Sequence, residues 1–416
     1  MLEARDALLG ACACEPGGAR SAAADPPAGP PEGYTAADRP AEPTSVPAGV
    51  IGPGLWERRL REEAAWGADF LRRMQDPAGY FYVTVFDLWS KNLDERMISS
   101  FRTQEGHRGE DYQAGMRQGA GMAVAALARA AASNISGDFG PADYLRAARS
   151  GFDHLLEHNV EYLDDGRENI IDDYCGLLAA TELYAATGEA RYLEEARRRR
   201  EALAGKFGAG TDVQAGASGQ APREGDAAAG GHSSAGARAP GMSSEAVEHW
   251  WADAPGGRPY YHAAEAGLPV LALLRYAALE PDYGRRDAAL ELAARAVSSE
   301  LSVTGAVANP FGYARQYTAE RGGAARSSFF IPHRNETGYW WQGENARLAS
   351  LAAAALRAAV PGGRAPAFPA TTLPADAGRL DPAAMRRYAY DQLDWILGRN
   401  PFDVCMLDGV GRNNPE

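Results

Sequence analysis

The pattern of apolar and polar positions divides the chain into a featureless start and a long helical region. Residues 1–50 are rich in alanine, proline and glycine without any period, which predicts a disordered or non-native N-terminal stretch. From Leu55 onward, apolar residues recur with the spacing of amphipathic helices. The spacing predicts helices at 57–75, 113–132, 143–157, 170–187, 189–204, 264–280, 285–299, 343–359 and 383–397. An alternating run at 80–86 is a weak strand signal, so the fold class is all-α.

The connections between these helices predict a ring of helical hairpins. Short turns at 187–189 and 281–284 alternate with long connections at 76–112, 205–263 and 300–342. Long loops in a compact domain are usually functional, and here they would gather on one face. We therefore predict that 51–416 forms a partial (α/α)6 toroid with about nine of twelve helices. The Gly/Ala/Ser-rich stretch 208–246 is interpreted as a low-complexity insertion.

Composition and charge narrow the class of partner. The 416 residues carry a formal net charge of −13, which disfavours nucleic acid and anionic membranes and suits a neutral or cationic ligand. No stretch approaches the length of a transmembrane helix, and residues 1–9 lack the apolar run of a signal peptide. The chain as given is therefore expected to be cytoplasmic, without a membrane partner.

Neither a metal nor a cofactor is predicted. Cys12 and Cys14 lie in a Pro/Gly/Ala stretch without zinc-ligand spacing, while Cys175 and Cys405 have apolar neighbours typical of buried thiols. Phosphate-binding loops, HExxH and GxSxG motifs are absent from the sequence. No Asp/Asn cluster has the spacing of a calcium loop.

The densest group of candidate site residues lies in 329–345. It combines two carboxylates, a histidine and a tryptophan pair, namely Glu336, Glu344, His333, Trp340 and Trp341. Aromatic rings beside hydrogen-bonding groups suit the flat C–H faces and hydroxyls of sugars. Alternatively, the tryptophans seal the core, and Glu344 only stabilises a helix N-terminus.

Candidates in three further segments have a functional and a structural interpretation. His262 follows two tyrosines before a helix, where it either lines a cleft or is a structural histidine. Asp111 and Tyr112 precede the helix predicted at 113–132, so Asp111 either orients a sugar or caps that helix. The adjacent Asp172 and Asp173 are better explained by stabilisation at a helix N-terminus.

Several stretches resemble family 9 glycoside hydrolases. Residues 62–75 (EEAAWGADFLRRMQ) resemble the helix E-x-x-W-G-x-D-F-L-x-x-M-Q of that family, and 390–401 (YDQLDWILGRNP) resemble its late helix and Asn-Pro turn. The resemblance covers roughly 55–204 and 247–416 and implies an (α/α)6 fold. Within the family, the chain is most similar to the exo-β-D-glucosaminidase branch, on the stretches 82–90, 169–175, 333–345 and 411–415.

The departures from the family pattern concern its catalytic carboxylates. The base of the family comes from a D-A-G-D-like motif upstream of the first matching helix, and its acid is a glutamate beyond the Asn-Pro turn. Neither context occurs here, so neither role is transferred to Asp25, Asp38 or Glu416. The comparison predicts a chain truncated at both ends, whose incomplete ring exposes apolar helix faces and self-associates.

The resemblance implies inverting hydrolysis of β-1,4-linked glucan or glucosamine oligosaccharides by the intact parent, as in cellulose degradation. The catalytic residues are unknown in this chain. The residues expected to bind substrate are Asp111, Tyr112, His262, His333, Glu336, Trp340, Trp341 and Glu344. Two alternatives stay open: a non-catalytic saccharide-binding remnant, and another α/α-toroid sugar enzyme, an epimerase or lyase, that uses His262 or His333.

Overall fold

The computed structural model describes residues 53–86, 92, 96–99, 112–210, 248–335, 343–359 and 381–415. Within these ranges it contains nine α-helices, which confirms the predicted all-α class and helix count. They are α1 (Pro53–Arg73), α2 (Ala120–Ala132), α3 (Pro141–His158), α4 (Ile170–Thr187), α5 (Ala190–Ala204), α6 (Leu268–Ala277), α7 (Tyr283–Gly305), α8 (Glu344–Ala358) and α9 (Pro382–Ile396). The predicted N-terminal stretch 1–50 lies outside the described residues.

Among the described residues, four antiparallel pairs of short strands lie in the long connections. They are β1 (Phe81–Tyr82) with β4 (Gln113–Ala114), β2 (Thr84–Phe86) with β3 (Met97–Ser99), β5 (Phe207–Ala209) with β6 (Glu248–Trp250), and β7 (Gln316–Thr318) with β8 (Arg326–Ser328). The weak strand signal at 80–86 thus corresponds to two strands. The predicted insertion 208–246 is wrong at its start, because Gly208 and Ala209 pair with β6; its part from residue 211 onward lies outside the described residues.

The helix predicted at 113–132 begins later than its periodicity indicated. Gln113 pairs with Tyr82 as a strand residue, and Met116–Gln118 form a 3₁₀ turn. Gly119 then takes a φ of 109°, a left-handed conformation that glycine adopts without strain, and α2 starts after it. The interpretation of Asp111 as an N-cap of this helix is therefore wrong, although Asp111 itself lies outside the described residues.

The helices form two layers, an inner and an outer one. Inner helices α2, α4, α6 and α8 each contact the next inner helix, while α3, α5, α7 and α9 pack outside them as hairpin partners. The sequence explains the layering, since α2, α4 and α6 are apolar on nearly all sides and the outer helices keep a polar face. This alternation is the arrangement expected for an (α/α) toroid.

A buried carboxylate ties three inner helices together. Glu182 of α4 is 2% exposed and accepts hydrogen bonds from Arg129 of α2 at 2.8 Å and from Arg275 of α6 at 2.7 and 2.9 Å. Removing one partner from such a buried ionic group leaves an uncompensated charge, which costs about 3–5 kcal/mol. The group therefore fixes the spacing of the inner ring near its short-turn end.

Helix α1 lies against the turn that joins α2 and α3. Asp69 accepts hydrogen bonds from the Tyr144 hydroxyl at 2.6 Å and from the backbone N–H groups of Asp138 and Phe139. Burial raises the pKa of Asp69, but these three donors outweigh it and lower the pKa overall. The acidic position of the family-like motif at 62–75 is thus a structural anchor.

Two other expectations concern cysteines and membranes. Cys175 and Cys405 are both free and buried, as the sequence predicted, whereas Cys12 and Cys14 lie outside the described residues. In the part of the chain that the structure describes, no helix is long and apolar enough to cross a bilayer.

Candidate functional site

The described ends of the long connections lie on one face of the ring. The short turns after α2, α4 and α6 lie at the opposite end, so every inner helix begins on the face with the long loops. A helix N-terminus presents unpaired N–H groups and a partial positive charge. Four such ends surround this face, which we call the loop face, and they favour carboxylates and oxygen-rich ligands there.

The N-terminus of α4 shows this effect in Asp172 and Asp173. Asp172 Oδ2 accepts a hydrogen bond from the backbone of Asn169 at 2.9 Å and lies 3.2 Å from Arg117 Nε. Asp173 pairs with Lys206 and lies 3.5 Å from Arg199. Burial raises the pKa of both carboxyls, despite these partners. Asp172 thus fits the predicted stabilisation at a helix N-terminus, whereas Asp173 is held by cationic side chains.

His262 is held by the first turn before α6. Its Nδ1 accepts hydrogen bonds from the backbone N–H groups of Ala264 at 3.1 Å and Glu265 at 2.9 Å. Burial lowers the pKa of His262, against a smaller opposing effect of Glu265. With Nδ1 occupied as an acceptor, the neutral ring carries its proton on Nε2. The side chain therefore combines a structural role at Nδ1 with an N–H donor at Nε2.

A tyrosine–carboxylate group beside His262 was missed from the sequence. The Tyr174 hydroxyl donates to Glu265 Oε2 at 2.5 Å, and the Tyr260 hydroxyl donates to that of Tyr174 at 3.3 Å. The Tyr260 ring lies nearly parallel to the His262 ring, with their centroids 6.4 Å apart. The signal available in the sequence was Glu265 itself. It is a carboxylate three residues after His262, among the small residues that precede α6.

Glu344 occupies the first position of α8 and is bound on two sides. It accepts hydrogen bonds from the Tyr313 hydroxyl and from Arg347, whose Nη2 lies at 2.7 Å. Arg347 is fully buried and also donates to the Ala314 carbonyl at 2.9 Å. Burial raises the pKa of Tyr313, and Arg347 opposes this effect. The geometry agrees with the helix-stabilising interpretation of Glu344.

The structure brings the His262 turn and the start of α8 together through a glycine. Gly343 has a φ of 81°, and a Cβ atom there would lie 2.7 Å from the carbonyl oxygen of Ala263. A side chain would therefore push the two segments apart. Glu344 follows directly, so His262, Glu265 and Glu344 belong to one region of the loop face, which we call the central site.

A small polar cavity lies next to the central site, beside the β5–β6 and β7–β8 strand pairs. Its volume is about 20 Å³, and its lining includes Glu300, Gln316, Tyr260 and Arg347. The buried side-chain amide of Gln316 has no hydrogen-bond partner among the residues that the structure describes. Burial raises the pKa of Glu300 to about 7, although Arg347 opposes the shift. Glu300 and Gln316 were not identified from the sequence.

The other predicted site residues are placed differently. Tyr112 is half-buried and contacts the rings of Tyr80 and Tyr82, and His333 is exposed on the loop after β8. Four candidates lie outside the described residues, namely Asp111, Glu336, Trp340 and Trp341.

The aromatic pair Trp250 and Trp251, near His262 in sequence, is not available as a sugar platform. Both side chains are buried, at 5% and 3% exposure, and Trp251 Nε1 donates to the Gly208 carbonyl at 2.9 Å. They pack the β5–β6 hairpin onto the ring. Across the described residues, no cluster of three or more His, Cys, Asp or Glu side chains is arranged to hold a metal ion.

Two solved structures align with this chain. Endoglucanase CelQ from Clostridium thermocellum, complexed with cellotriose, aligns at 16% identity and a TM-score of 0.45, over 87% of this chain and 46% of that one. A family 9 protein of Bacteroides ovatus aligns at 17% identity and a TM-score of 0.42, over 88% and 52%. The chain thus spans about half the length of these structures. No curated protein matches it significantly.

The match to a family model covers far more of the chain. The model for glycosyl hydrolase family 9 matches residues 45–416, which include every helix of the ring and the whole loop face. The helical layers and the match agree with the resemblance found at 62–75 and 390–401. This chain belongs to glycosyl hydrolase family 9.

Proposed function

We propose that this chain forms the substrate-binding part of an inverting glycoside hydrolase that acts on β-1,4-linked gluco-configured oligosaccharides. The observation that carries the proposal is the family match over residues 45–416. The central site supports it, because neutral and charged hydrogen-bonding groups converge there at the N-termini of inner helices. Sugar hydroxyls are recognised by such groups beside aromatic rings.

The roles within the central site follow from the hydrogen bonds already present. Nε2 of His262 donates to a sugar hydroxyl, since Nδ1 is fixed as an acceptor by two backbone N–H groups. Glu265 has one oxygen bound to Tyr174, and its other oxygen accepts from a second hydroxyl. Glu344 is shared between Tyr313 and Arg347 and positions the start of α8.

The chemical step requires two further carboxyl groups. An inverting glycosidase uses an acid and a base separated by about 6.5–9.5 Å, so that a water fits between the base and the sugar. The resemblance transfers neither the aspartate motif nor the C-terminal glutamate of the family to a residue of this sequence. We therefore assign neither role to a residue of this chain, and the proposal concerns binding residues.

The finer substrate assignment is a β-1,4-linked glucosamine oligosaccharide, cleaved from one end. It rests on the resemblance of 169–175 and 333–345 to the exo-β-glucosaminidase branch, and on the net charge of −13, which favours a cationic sugar. A glucan substrate of the cellulase type is the competing assignment.

Calorimetry and product analysis on the purified chain test the proposal together. Hexamers of β-1,4-linked glucosamine and of β-1,4-linked glucose are titrated in, and released sugars are followed by the NMR signals of their anomers. Turnover with inverted configuration supports the hydrolase, and retention of configuration contradicts it. Binding without turnover supports the alternative, a non-catalytic saccharide-binding protein.

A pair of variants links either result to the central site. Glu265→Gln removes the charge while keeping the shape, and we expect it to weaken saccharide binding about tenfold. Glu291→Gln, on the exposed outer side of α7, is the matched control and should leave binding unchanged. Equal affinities of both variants for both hexamers would exclude the central site as the place of binding.

A further inference from the structure

Arg347 is a buried guanidinium that is bound along one edge only. Its Nε lies 3.1 Å from both carboxylate oxygens of Glu344, and its Nη2 lies 2.7 Å from Glu344 Oε1 and 2.9 Å from the Ala314 carbonyl oxygen. Nη1 has no hydrogen-bond partner among the residues that the structure describes, although the side chain is fully buried. Buried donors are normally paired, so the free corner of the guanidinium points to a second acceptor.

The small cavity next to the central site offers that acceptor. Arg347 lines it from α8, and Glu300 lines it from the C-terminal half of α7. Gln316 of β7 belongs to the same lining, and neither atom of its amide has a partner in the described part of the chain. The volume of about 20 Å³ has room for about one water. Glu300 can therefore reach Arg347 Nη1 through a side-chain rotation or a single water.

The other titratable groups around Glu300 stay neutral near pH 7 or are phenols. Burial lowers the pKa of His249, on the β6 side, to about 4. Burial raises the pKa of Tyr260, before α6, and of Tyr388, on α9, well above the ordinary value, so both hydroxyls keep their protons. The remaining titratable groups of the lining are the phenols Tyr261 and Tyr317.

Two other arginines near this end of α7 do not line the cavity. Arg315 donates to the carbonyls of Val303 and Ser327, and Arg295 donates to Glu248. Within the described lining, the guanidinium on α8 is the only cationic group. A negative charge that forms at the cavity is therefore compensated by this group alone.

Protonation decides how many carboxylates share Arg347. Burial raises the pKa of Glu300 to about 7, although Arg347 opposes the shift. Below this pH, Glu300 is neutral and leaves the guanidinium to Glu344. Above it, the charge on Glu300 attracts Nη1, and the interaction with Glu344 weakens. Glu344 follows Gly343, whose backbone packs on the turn that holds His262, so the change reaches the central site.

We propose that Glu300 is a positioning residue for the central site, which competes with Glu344 for Arg347 and thereby controls the start of α8. The neutral form leaves Glu344 fixed, and the ionised form draws Arg347 toward the cavity and loosens Glu344. Saccharide binding is therefore strongest below pH 7, and by linkage a bound saccharide favours the neutral form. The inference rests on the proposed function for the ligand and adds a residue that controls its site from outside.

A double-mutant cycle tests the competition without any saccharide. Urea unfolding is measured at pH 5.5 and pH 8.5 for the parent, E344Q, E300Q and E300Q/E344Q. We expect E344Q to reduce the folding equilibrium constant of the parent about fivefold less at pH 8.5 than at pH 5.5, because ionised Glu300 then replaces Glu344 as the partner of Arg347. In the E300Q background the loss should be equal at both pH values.

Two results of this cycle would overturn the proposal. One is a loss in E344Q that does not change with pH in the parent. The other is the same change with pH in both backgrounds, since Glu300 would then have no part in it.

Calorimetry with the glucosamine hexamer tests the effect on the central site. The amines of the hexamer titrate equally in both measurements, so the ratio of the dissociation constants of the parent and E300Q isolates Glu300. We expect equal affinities at pH 5.5 and about fivefold weaker binding by the parent at pH 8.5. E291Q makes the same change on the exposed side of α7 and is the matched control, which should bind like the parent at both pH values.

The two experiments separate this inference from the proposed function. If the parent binds no hexamer at either pH, the proposed function fails, and the unfolding cycle still decides whether Glu300 competes for Arg347. If the hexamer binds and the ratio of dissociation constants is the same at both pH values, Glu300 does not position the central site and the inference is wrong.

Discussion

Glu300 connects protonation to folding, because it lines the small cavity next to the central site. Its pKa is about 7 in the folded protein, against an ordinary value of 4.5. The folded state therefore holds the proton more tightly than the unfolded state. The resulting stability is fully present below about pH 4.5 and is lost as the pH rises through about 7.

Glu300→Gln should remove this pH dependence. The amide stays neutral, so we expect the variant to be more stable than the parent by about 3 kcal/mol at pH 8, with little difference at pH 4.5. Urea unfolding of both proteins from pH 4.5 to 8 measures the difference directly. Parallel stability curves for the two proteins over this range would show that Glu300 does not titrate there.

His262 allows its structural role and its binding role to be separated by two substitutions. Asparagine retains a side-chain acceptor for the N–H groups of Ala264 and Glu265 but removes the Nε2 donor. We expect His262→Asn to keep the melting temperature and to weaken saccharide binding about tenfold. His262→Ala should lose about 1 kcal/mol of stability as well.

The pattern of the two His262 variants decides between the roles. Thermal unfolding gives the stability of each variant, and calorimetry with the glucosamine hexamer gives its affinity. If His262→Asn binds as tightly as the parent, the ring is only a cap for the turn before α6.

Single residues of the site were only partly predictable from the sequence. His262 and Glu344 were found because they stand beside aromatic residues, a local feature. Glu265 and Glu300 were missed because their environments depend on Tyr174 and Arg347, which are distant in the chain. Burial of Trp250 and Trp251 likewise follows from hairpin packing, which the sequence pattern does not contain.

At the scale of elements, Gly343 joins the start of α8 to the turn before α6. Gly343→Ala combines an unfavourable φ of 81° with a contact of 2.7 Å to the Ala263 carbonyl. We expect a loss of about 2 kcal/mol and weaker saccharide binding, because the two segments must separate. Chemical unfolding and calorimetry on the variant measure both effects.

Gly305→Ala is the matched control for this substitution. Gly305 is the last residue of α7, and a Cβ there meets no atom within 4 Å. Alanine should therefore leave stability unchanged or raise it by about 0.5 kcal/mol. A similar loss of stability in both variants would show that the close approach of the two segments at Gly343 is not the cause of the loss.

Most elements followed from periodicity, and the exception has a physical cause. Helix spacing continues through 113–119, but Gly115 and Gly119 interrupt it, and Gly119 adopts φ 109°. Residue 113 pairs with Tyr82 instead, a long-range contact that overrides local preference. The two glycines were the available signal for a later helix start.

At the scale of the whole molecule, the all-α class and hairpin ring were predictable because apolar periodicity defines each helix. The sequence also contains the division into an inner and an outer layer, because α2, α4 and α6 are apolar on nearly all sides. The relation between hairpins depends on buried pairs such as Glu182 with Arg129 and Arg275. Such pairs join residues far apart in the chain, so a single sequence does not reveal them.

The outer side of α1 leads to a prediction about self-association. Trp66 is 73% exposed, and Trp56 and Phe70 are 49% and 48% exposed on the same helix. Large aromatic side chains on a surface favour association when they cluster. Trp66→Lys should raise the dissociation constant for self-association at least tenfold, because hot-spot tryptophans contribute about 2 kcal/mol or more.

Sedimentation equilibrium over a range of protein concentrations measures this effect. Gly67→Lys is the control, since it adds the same charge next to Trp66 and its Cβ meets no atom within 4 Å. If Gly67→Lys disperses the protein as strongly as Trp66→Lys, charge is responsible and the aromatic face is not the contact. If only Trp66→Lys yields monomers, α1 provides the contact, and saccharide binding by the monomer can be measured without interference from association.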